Sequence, residues 1–246
     1  MLELQKVIKS FSGNFNPILK GIDLALLPGD FCILIGSNGS GKSTLMKCVS
    51  GEYVFNSGKI IVSKGASIAC VTQDINKGTI AEMTLLENMM LSKLYNKKAK
   101  FNFYSNKLNE VIEEVKELGV DLAKYIDEPL GNLSGGQRQM IATIMAINSK
   151  PDILLLDEHT SALDPKTQNF IMDYTIKNIE KNKITTMMIT HKFDDAIAYG
   201  NRLVMLHQGE IVVDLKGDEK KKLSVSQLLQ IFHQYEDLSL RGKNVN

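Results

Sequence analysis

The stretch GSNGSGKST, Gly36 to Thr44, follows the apolar run FCILI at Phe31 to Ile35 and runs straight into KSTLMKCVSG. A continuous apolar run of that length suits a strand buried on both faces. The segment after the glycines reads as a helix closed by Gly51, because Leu45, Met46 and Val49 fall at helical spacing. Between the two, Gly36, Ser37, Asn38, Gly39, Ser40 and Gly41 let successive backbone N–H groups converge, forming a nest for phosphate at the start of a helix. Lys42 is then placed to reach the β and γ phosphates, Ser43 to hold Mg²⁺, and Thr44 to add a hydroxyl near the α phosphate.

A second apolar run, ILLLDE at Ile153 to Glu158, supplies the acidic half of the chemistry. Its apolar residues bury the strand and deliver Asp157 at its C-terminal end, where a carboxylate can organise Mg²⁺ through water. Glu158 points elsewhere and is placed to polarise an attacking water. Paired with Lys42, these carboxylates favour hydrolysis over passive nucleotide binding. LSGGQRQ, Leu133 to Gln139, is harder to place in a single site, since Gly135 and Gly136 at a helix N-terminus, with Ser134 as a hydroxyl donor, form another phosphate contact. One chain already has its nest. A second donor group makes sense if it faces the ATP of another chain, so two chains would pair head-to-tail around two ATP molecules as a homodimer.

The bulk composition narrows the remaining uses of such an engine. A chain of 246 residues can form one large domain or a core with a subdomain. With 29 Lys and Arg against 28 Asp and Glu, the formal net charge is +1, so no overall field recruits nucleic acid or an anionic membrane, and no nucleic-acid partner is expected. Cys32, Cys48 and Cys70 lie far apart among apolar neighbours, which suits buried thiols rather than a disulfide framework or zinc cluster. The opening MLELQKVIKS intersperses charges, and no run approaches the roughly 18 apolar residues of a membrane span. A cytosolic chain that cannot cross a bilayer alone is the expectation.

Along the chain, Leu2 to Lys9, Ile22 to Leu27, Gly58 to Ser63 and Ser67 to Thr72 read as further strands. From about 74 to 148 the pattern turns helical, through EMTLLENMMLSKLY, NKLNEVIEEVKELGV and the helix after LSGG. Strands return at DILLLD and ITTMMIT, separated by a helix from about Pro165 to Glu180, and RLVMLHQGEIVVDL forms a hairpin turned at Gln208-Gly209. A short amphipathic helix near Val225 to Phe232 is expected to end the chain. The organisation is a single domain over 1–246, with its core at about 1–73 and 149–215, a helical subdomain at about 74–148 and a tail at about 216–246.

GSNGSGKST, LSGGQ and LLLDE together resemble the ATP-binding-cassette ATPases, over nearly all of the chain. The resemblance implies an α/β fold, a P-loop NTPase core of the ATP-binding-cassette type with N-terminal antiparallel β strands and an inserted helical subdomain, using ATP and Mg²⁺. It implies that Gln73 in VTQD joins core to subdomain and senses Mg²⁺ and the attacking water. By the same likeness, Asp164 in SALD belongs to a loop crossing the dimer interface, Gln137 to the second phosphate-binding motif, and His191 in MMITHK to a switch at the γ phosphate. An aromatic ring near the first strand would stack on adenine, with Phe11 favoured by KSF while FSGNFNPILKG keeps Phe15 open. Where importer and exporter cassettes commonly carry proline, this chain has His159, read as a local structural residue.

DEHTSALDPKT, GTIAEMTLLEN and the segment from Ala198 to Phe232 resemble a narrower bacterial group, the tryptophan/tyrosine or related uptake-system ATPases. That implies a separate multi-span membrane permease, indirectly a solute-binding lipoprotein, and a place on the cytoplasmic face of the cell membrane. Met83, Leu85, Leu86, Met89, Met90 and Leu91 can line an adaptable groove for a permease helix, or bury the insert against its own core. The alternative is a non-transport cassette protein using ATP as a switch on ribosomes or nucleic acid, a class that usually carries two cassettes or a long coiled-coil insertion. A small-molecule kinase has no use for LSGGQ.

Overall fold

Alternating apolar and polar residues build the first sheet, and the apolar runs FCILI and ILLL supply central strands of the second. In the computed structural model, which describes residues 1–11, 16–74, 77–94, 109, 111–113, 115 and 122–243, β1 (Leu2–Lys9) pairs antiparallel with β2 (Leu19–Leu26) and with β4 (Ser57–Val62). Leu2, Leu4, Val7, Leu19, Ile22, Leu24 and Leu26 turn inward from it. The larger sheet has the order β5-β6-β7-β3-β8-β9. Its strands β5 (Ile68–Val71), β6 (Ile153–Asp157), β7 (Thr185–Ile189), β3 (Phe31–Ile35) and β8 (Arg202–His207) are parallel, and β9 (Glu210–Lys216) returns antiparallel beside β8. Strands β3, β6 and β7 are buried at every residue, as sheets covered on both faces require.

Two apolar layers cover that sheet. On one side the antiparallel strands and α1 (Lys42–Val49) pack with Leu34, Leu155 and Met187. On the other, Ile33, Leu154 and Met188 meet Met172 and Ile179 of the helix Pro165–Asn182 and Leu228 of the last helix. A third cluster belongs to the inserted segment, where α2 (Leu85–Leu94) meets α3 (Gly135–Asn148). The following helices are α4 (Pro165–Asn182), α5 (Phe193–Ala198), α6 (Gly217–Lys221) and α7 (Val225–Lys243).

Two expectations change. The final helix runs to Lys243, well past Phe232, because Leu228, Ile231, Phe232 and Tyr235 keep packing against the core at helical spacing. The apolar stripe of the insert is mostly core: Leu85, Met89 and Met90 are 0%, 1% and 5% exposed, whereas Leu91 at 40% and Ile80 at 45% face outward. NKLNEVIEEVKELGV lies largely outside the described residues, although 109, 111–113 and 115 are helical.

A buried cation helps to tie the two sheets together. Arg202 on β8 forms a bidentate pair with Asp214 of β9, at 2.7 and 2.6 Å, and also donates to the Ala25 carbonyl on β2. A guanidinium taken out of water is tolerable only when its donors are used in this way. Arg202→Leu should lower stability by about 2–4 kcal/mol, since it leaves Asp214 and the Ala25 carbonyl without their donor. Urea unfolding measures this. Lys221→Ala, which removes the solvated 3.8 Å pair with Asp218, should leave the midpoint unchanged.

Candidate functional site

The register of the parallel sheet brings the sequence-predicted groups to one edge. Leu34 of β3 and Asp157 of β6 both pair with Ile189 of β7, and Leu156 pairs with Val71 of β5. Gly36, Glu158, His191 and Gln73 therefore leave the sheet within two residues of the same row.

The loop after β3 is as tightly constrained as its composition suggests. Gly36 sits at φ 148°, and a Cβ there would lie 2.1 Å from the Leu206 carbonyl oxygen, so no other residue fits. Gly41 at φ 106° caps α1 without a side-chain bond, which leaves the helix N-terminus open to an anion. Lys42 folds back over the loop, donating to the carbonyls of Gly36 at 2.7 Å and Ser37 at 2.9 Å. Burial pulls its pKa down, opposed by the Glu158 and Asp157 carboxylates. Ser40 is 1% exposed and its hydroxyl has no partner among the described residues. Ser37 is half-buried, Asn38 and Gly39 are exposed, and Ser43 and Thr44 are half-buried at the start of α1.

Asp157 is 6% exposed; its Oδ1 has no partner among the described residues, and Ser43 hydrogen-bonds its carboxylate. Burial raises its pKa, with the Ser43 bond acting the other way. A desolvated carboxylate with a spare oxygen beside a serine hydroxyl fits a hard divalent cation such as Mg²⁺, which prefers oxygen ligands. An open, dipole-aligned nest with an unpartnered hydroxyl and a buried ammonium likewise fits a polyphosphate.

Glu158 holds φ 49°, a left-handed conformation uncommon for a residue with a Cβ. Its carboxylate lies 2.6 Å from His191 Nε2. His159, by contrast, is 2% exposed, and burial lowers its pKa to about 4, so it is a neutral core imidazole. Gln73 is exposed just beyond β5, and the carbonyl before it, that of Thr72, accepts from Gln139 Nε2 of α3 at 3.1 Å.

The second glycine pair lies at a different helix N-terminus. Ser134 caps α3, accepting from the Gln137 backbone N–H at 3.3 Å while the Gln137 side chain accepts from Ser134 N at 2.9 Å. That box uses the serine oxygen as acceptor and leaves its hydrogen available to donate. Gly136 packs so closely that a Cβ would approach the Ala162 carbonyl to 3.1 Å. Gly135 is half-buried, and Asp164 caps α4 by accepting from Lys166 and Thr167, which lowers its pKa. None of Ser134, Gly135, Gly136 or Gln137 lines the 420 Å³ cavity bounded by Gly36, Ser37, Asn38 and His191.

Phe11 is 37% exposed and meets Tyr53 edge-on at 5.3 Å, with Lys9 Nζ 4.7 Å from its ring centre. Phe15 lies outside the described residues. Tyr53, Lys9 and Gln139 carry no local signal that would have singled them out in the sequence: each acquires its place from strand or helix packing with residues more than 40 positions away.

The ABC transporter family model matches residues 19–161, more than half of the chain. The chain is 39% identical over 250 residues to a tyrosine transport ATP-binding protein of Clostridioides difficile, with 94% of this chain and 98% of that one covered. It is 33% identical over 258 residues to a phosphonates import ATP-binding protein of Mesoplasma florum, covering 94% and 99%. An ATP-binding cassette solved as a dimer in a post-hydrolysis state bound to ADP and Pi matches with a TM-score of 0.77 at 26% identity, covering 88% of this chain and 98% of that one.

Because burial raises the pKa of Asp157 above its unfolded value, the stability this group contributes is lost as pH rises through its folded pKa, and burying its charge is a cost at neutral pH. Asp157→Asn should therefore raise thermal stability without nucleotide at pH 7, by about 1 kcal/mol. It should also abolish the further stabilisation that MgATP gives the unsubstituted chain. Differential scanning calorimetry with and without MgATP checks both signs.

Proposed function

The chain belongs to the ABC transporter family and is an ATP-hydrolysing cassette, and from that membership we propose that it powers a solute importer by closing as a homodimer around two ATP molecules. The observation that supports this reading is that one chain carries two glycine-rich helix N-termini, Gly36 to Thr44 and Ser134 to Gln137, and that Asp157 and Glu158 act electrostatically on Lys42 of the first. Similarity to a cassette solved as a dimer supports it.

In the proposed site Lys42 exchanges the Gly36 and Ser37 carbonyls for β and γ phosphate oxygens. Gly36, Ser37, Asn38, Gly39, Ser40 and Gly41 donate backbone or hydroxyl hydrogens, and Thr44 lies toward the α phosphate. Ser43, Asp157 and Gln73 would hold Mg²⁺, which would supply positive charge to neutralise the transferred phosphoryl group. Glu158 positions or deprotonates the attacking water, and His191, already 2.6 Å from that carboxylate, fixes its direction. Phe11 stacks on adenine. Ser134, Gly135, Gly136 and Gln137 of the other chain approach the γ phosphate, and the loop ending at Asp164 crosses between the chains.

Among the described residues no helix is long and apolar enough to cross a membrane. The proposed importer therefore needs a separate multi-span permease, with this chain on the cytoplasmic face and a solute-binding lipoprotein outside. The cargo is proposed to be an aromatic amino acid or a related small solute, on the likeness to a tyrosine transport protein. Ile80 and Leu91 of the insert, rather than the buried Met89 and Met90, offer the apolar contact for a permease helix.

Glu158→Gln should lower phosphate release by at least about a hundredfold while ATP still binds, so the closed dimer accumulates. Ser134→Arg should leave ATP bound to the chain's own nest yet block closure by placing a cation and bulk in the shared interface. Light scattering run beside a phosphate-release assay separates the two. A Glu158→Gln protein that stays monomeric in saturating MgATP and in the presence of its permease would overturn the sandwich.

Leu91→Glu with Ile80→Glu should reduce recovery of the chain with a multi-span partner from detergent extracts, with unchanged nucleotide affinity in isolation. Capture of ribosomes or nucleic acid instead would overturn the importer reading.

A further inference from the structure

We propose that Phe232, in the last helix, is a positioning residue for ATP hydrolysis: its ring holds Phe193, and through that residue the turn that carries His191 beside the phosphate loop. The proposal rests on the reading of His191 as the switch at the γ phosphate. Its first ground is a shared cavity. The space of about 420 Å³ beside the phosphate loop is bounded by Gly36, Ser37 and Asn38 and also by His191, Phe193 and Phe232. Helix α7 thus supplies part of the wall of this cavity, although it lies beyond residues 19–161, the segment that the family model matches.

The second ground is the ring pair. Phe193 and Phe232 meet edge to face, with centroids 5.1 Å apart and planes at 81°, an arrangement that the quadrupoles of two aromatic rings favour. Phe193 is the first residue of α5, a helix of six residues to which Lys192 gives no side-chain cap. A helix so short has little stability of its own, and tertiary packing sets its place. The turn from β7 into α5 has a local bond, from the Lys192 N–H to Thr190 Oγ1 at 3.0 Å, and His191 lies between those two residues. The direction in which its imidazole leaves the turn toward Glu158, 2.6 Å away, therefore depends on where Phe193 is held.

The third ground is that α7 has other anchors. Leu228, one turn before Phe232, is fully buried in the apolar layer of the sheet, and the Tyr235 hydroxyl, on the next turn, donates to the Val212 carbonyl at 3.3 Å. These contacts dock the helix on either side of Phe232. Phe232 itself is half-buried, packed against the same layer and also facing the cavity. Loss of its ring therefore leaves the helix in place and removes the hold on Phe193.

Phe232→Leu keeps an apolar side chain and removes the ring. In the full chain kcat should fall roughly three- to tenfold with KM and ATP affinity changed by less than about twofold, and Phe232→Tyr, which keeps the ring pair, should restore most of the rate. A merely structural ring gives a different result. Full kcat in a folded Phe232→Leu chain, or a loss that Phe232→Tyr does not restore, overturns the proposal. Should Phe232→Leu fail to fold, 4-fluorophenylalanine placed at position 232 of the otherwise unsubstituted chain decides it. A fluorine resonance that moves with MgATP and not with MgADP supports the proposal, and one that answers both alike, or neither, overturns it. His191→Ala run in parallel keeps the two ideas apart. Full turnover there removes the switch role of His191, whereas an inactive His191→Ala beside an unaffected Phe232→Leu removes only the role of Phe232.

Discussion

The site depends on the register of three parallel strands. Ile189 pairs on one side with Leu34 and on the other with Asp157, so the row that ends the sheet also sets the starting points of the phosphate loop, the acidic pair and the histidine loop. A slip of one residue in any of these pairings would turn an inward side chain outward and carry its loop about 3.3 Å along the sheet. Burial on both faces forbids the slip, because every residue of β3, β6 and β7 would then exchange its neighbours in two apolar layers. Stability of the core and placement of the chemistry are thus the same constraint.

What stands at that edge works against stability. Burial disfavours the charge on Lys42 and the charge on Asp157, each of which offsets the other only in part. The Ser40 hydroxyl is buried without a partner among the described residues, and Glu158 occupies a backbone region that residues with a Cβ avoid. The sheet beneath can carry these costs because β3 and the body of β6 are apolar and every residue of β3, β6 and β7 is buried. A triphosphate with a divalent cation would relieve several at once, supplying acceptors for Lys42 and Ser40 and a positive charge for Asp157. The site is built for an occupant more polar than anything the chain itself contains.

Nearly all of the sheet was legible in the sequence, because buried parallel strands appear as apolar runs and FCILI and ILLLD have no competing reading. The places of Lys42, Asp157, Glu158 and Ser134 were legible for a related reason: each lies at a fixed offset from such a run or from a glycine turn, although the capping bond that Ser134 accepts was not part of that reading. Met89 and Met90 were ambiguous because a methionine on an amphipathic insert serves core and docking surface equally well by periodicity. Only the position of α3 against α2 decides that they are buried and that Ile80 and Leu91 are not. The last helix was read too short, since Tyr235 near its end bonds the Val212 carbonyl on β9, a contact that no local pattern announces. Tyr53 reaches Phe11 only after β1 and β4 have paired, so its place beside a candidate adenine-stacking ring could not be read from spacing.

Helix α3 gives the two phosphate sites a physical connection. Its N-terminus carries Ser134, exposed as the cap, while Gln139, the fifth residue of the helix, holds the Thr72 carbonyl immediately before Gln73. Gln139 is 3% exposed, so this 3.1 Å bond is protected from water and is stronger than the same bond on the surface. A rigid helix of 14 residues cannot shift its N-terminus without moving Gln139 as well. In the proposed dimer, engagement of Ser134 with the partner's nucleotide would therefore be felt at Gln73, on the edge where the chain holds its own. Each chain would sense the other's ATP through one helix and one buried amide.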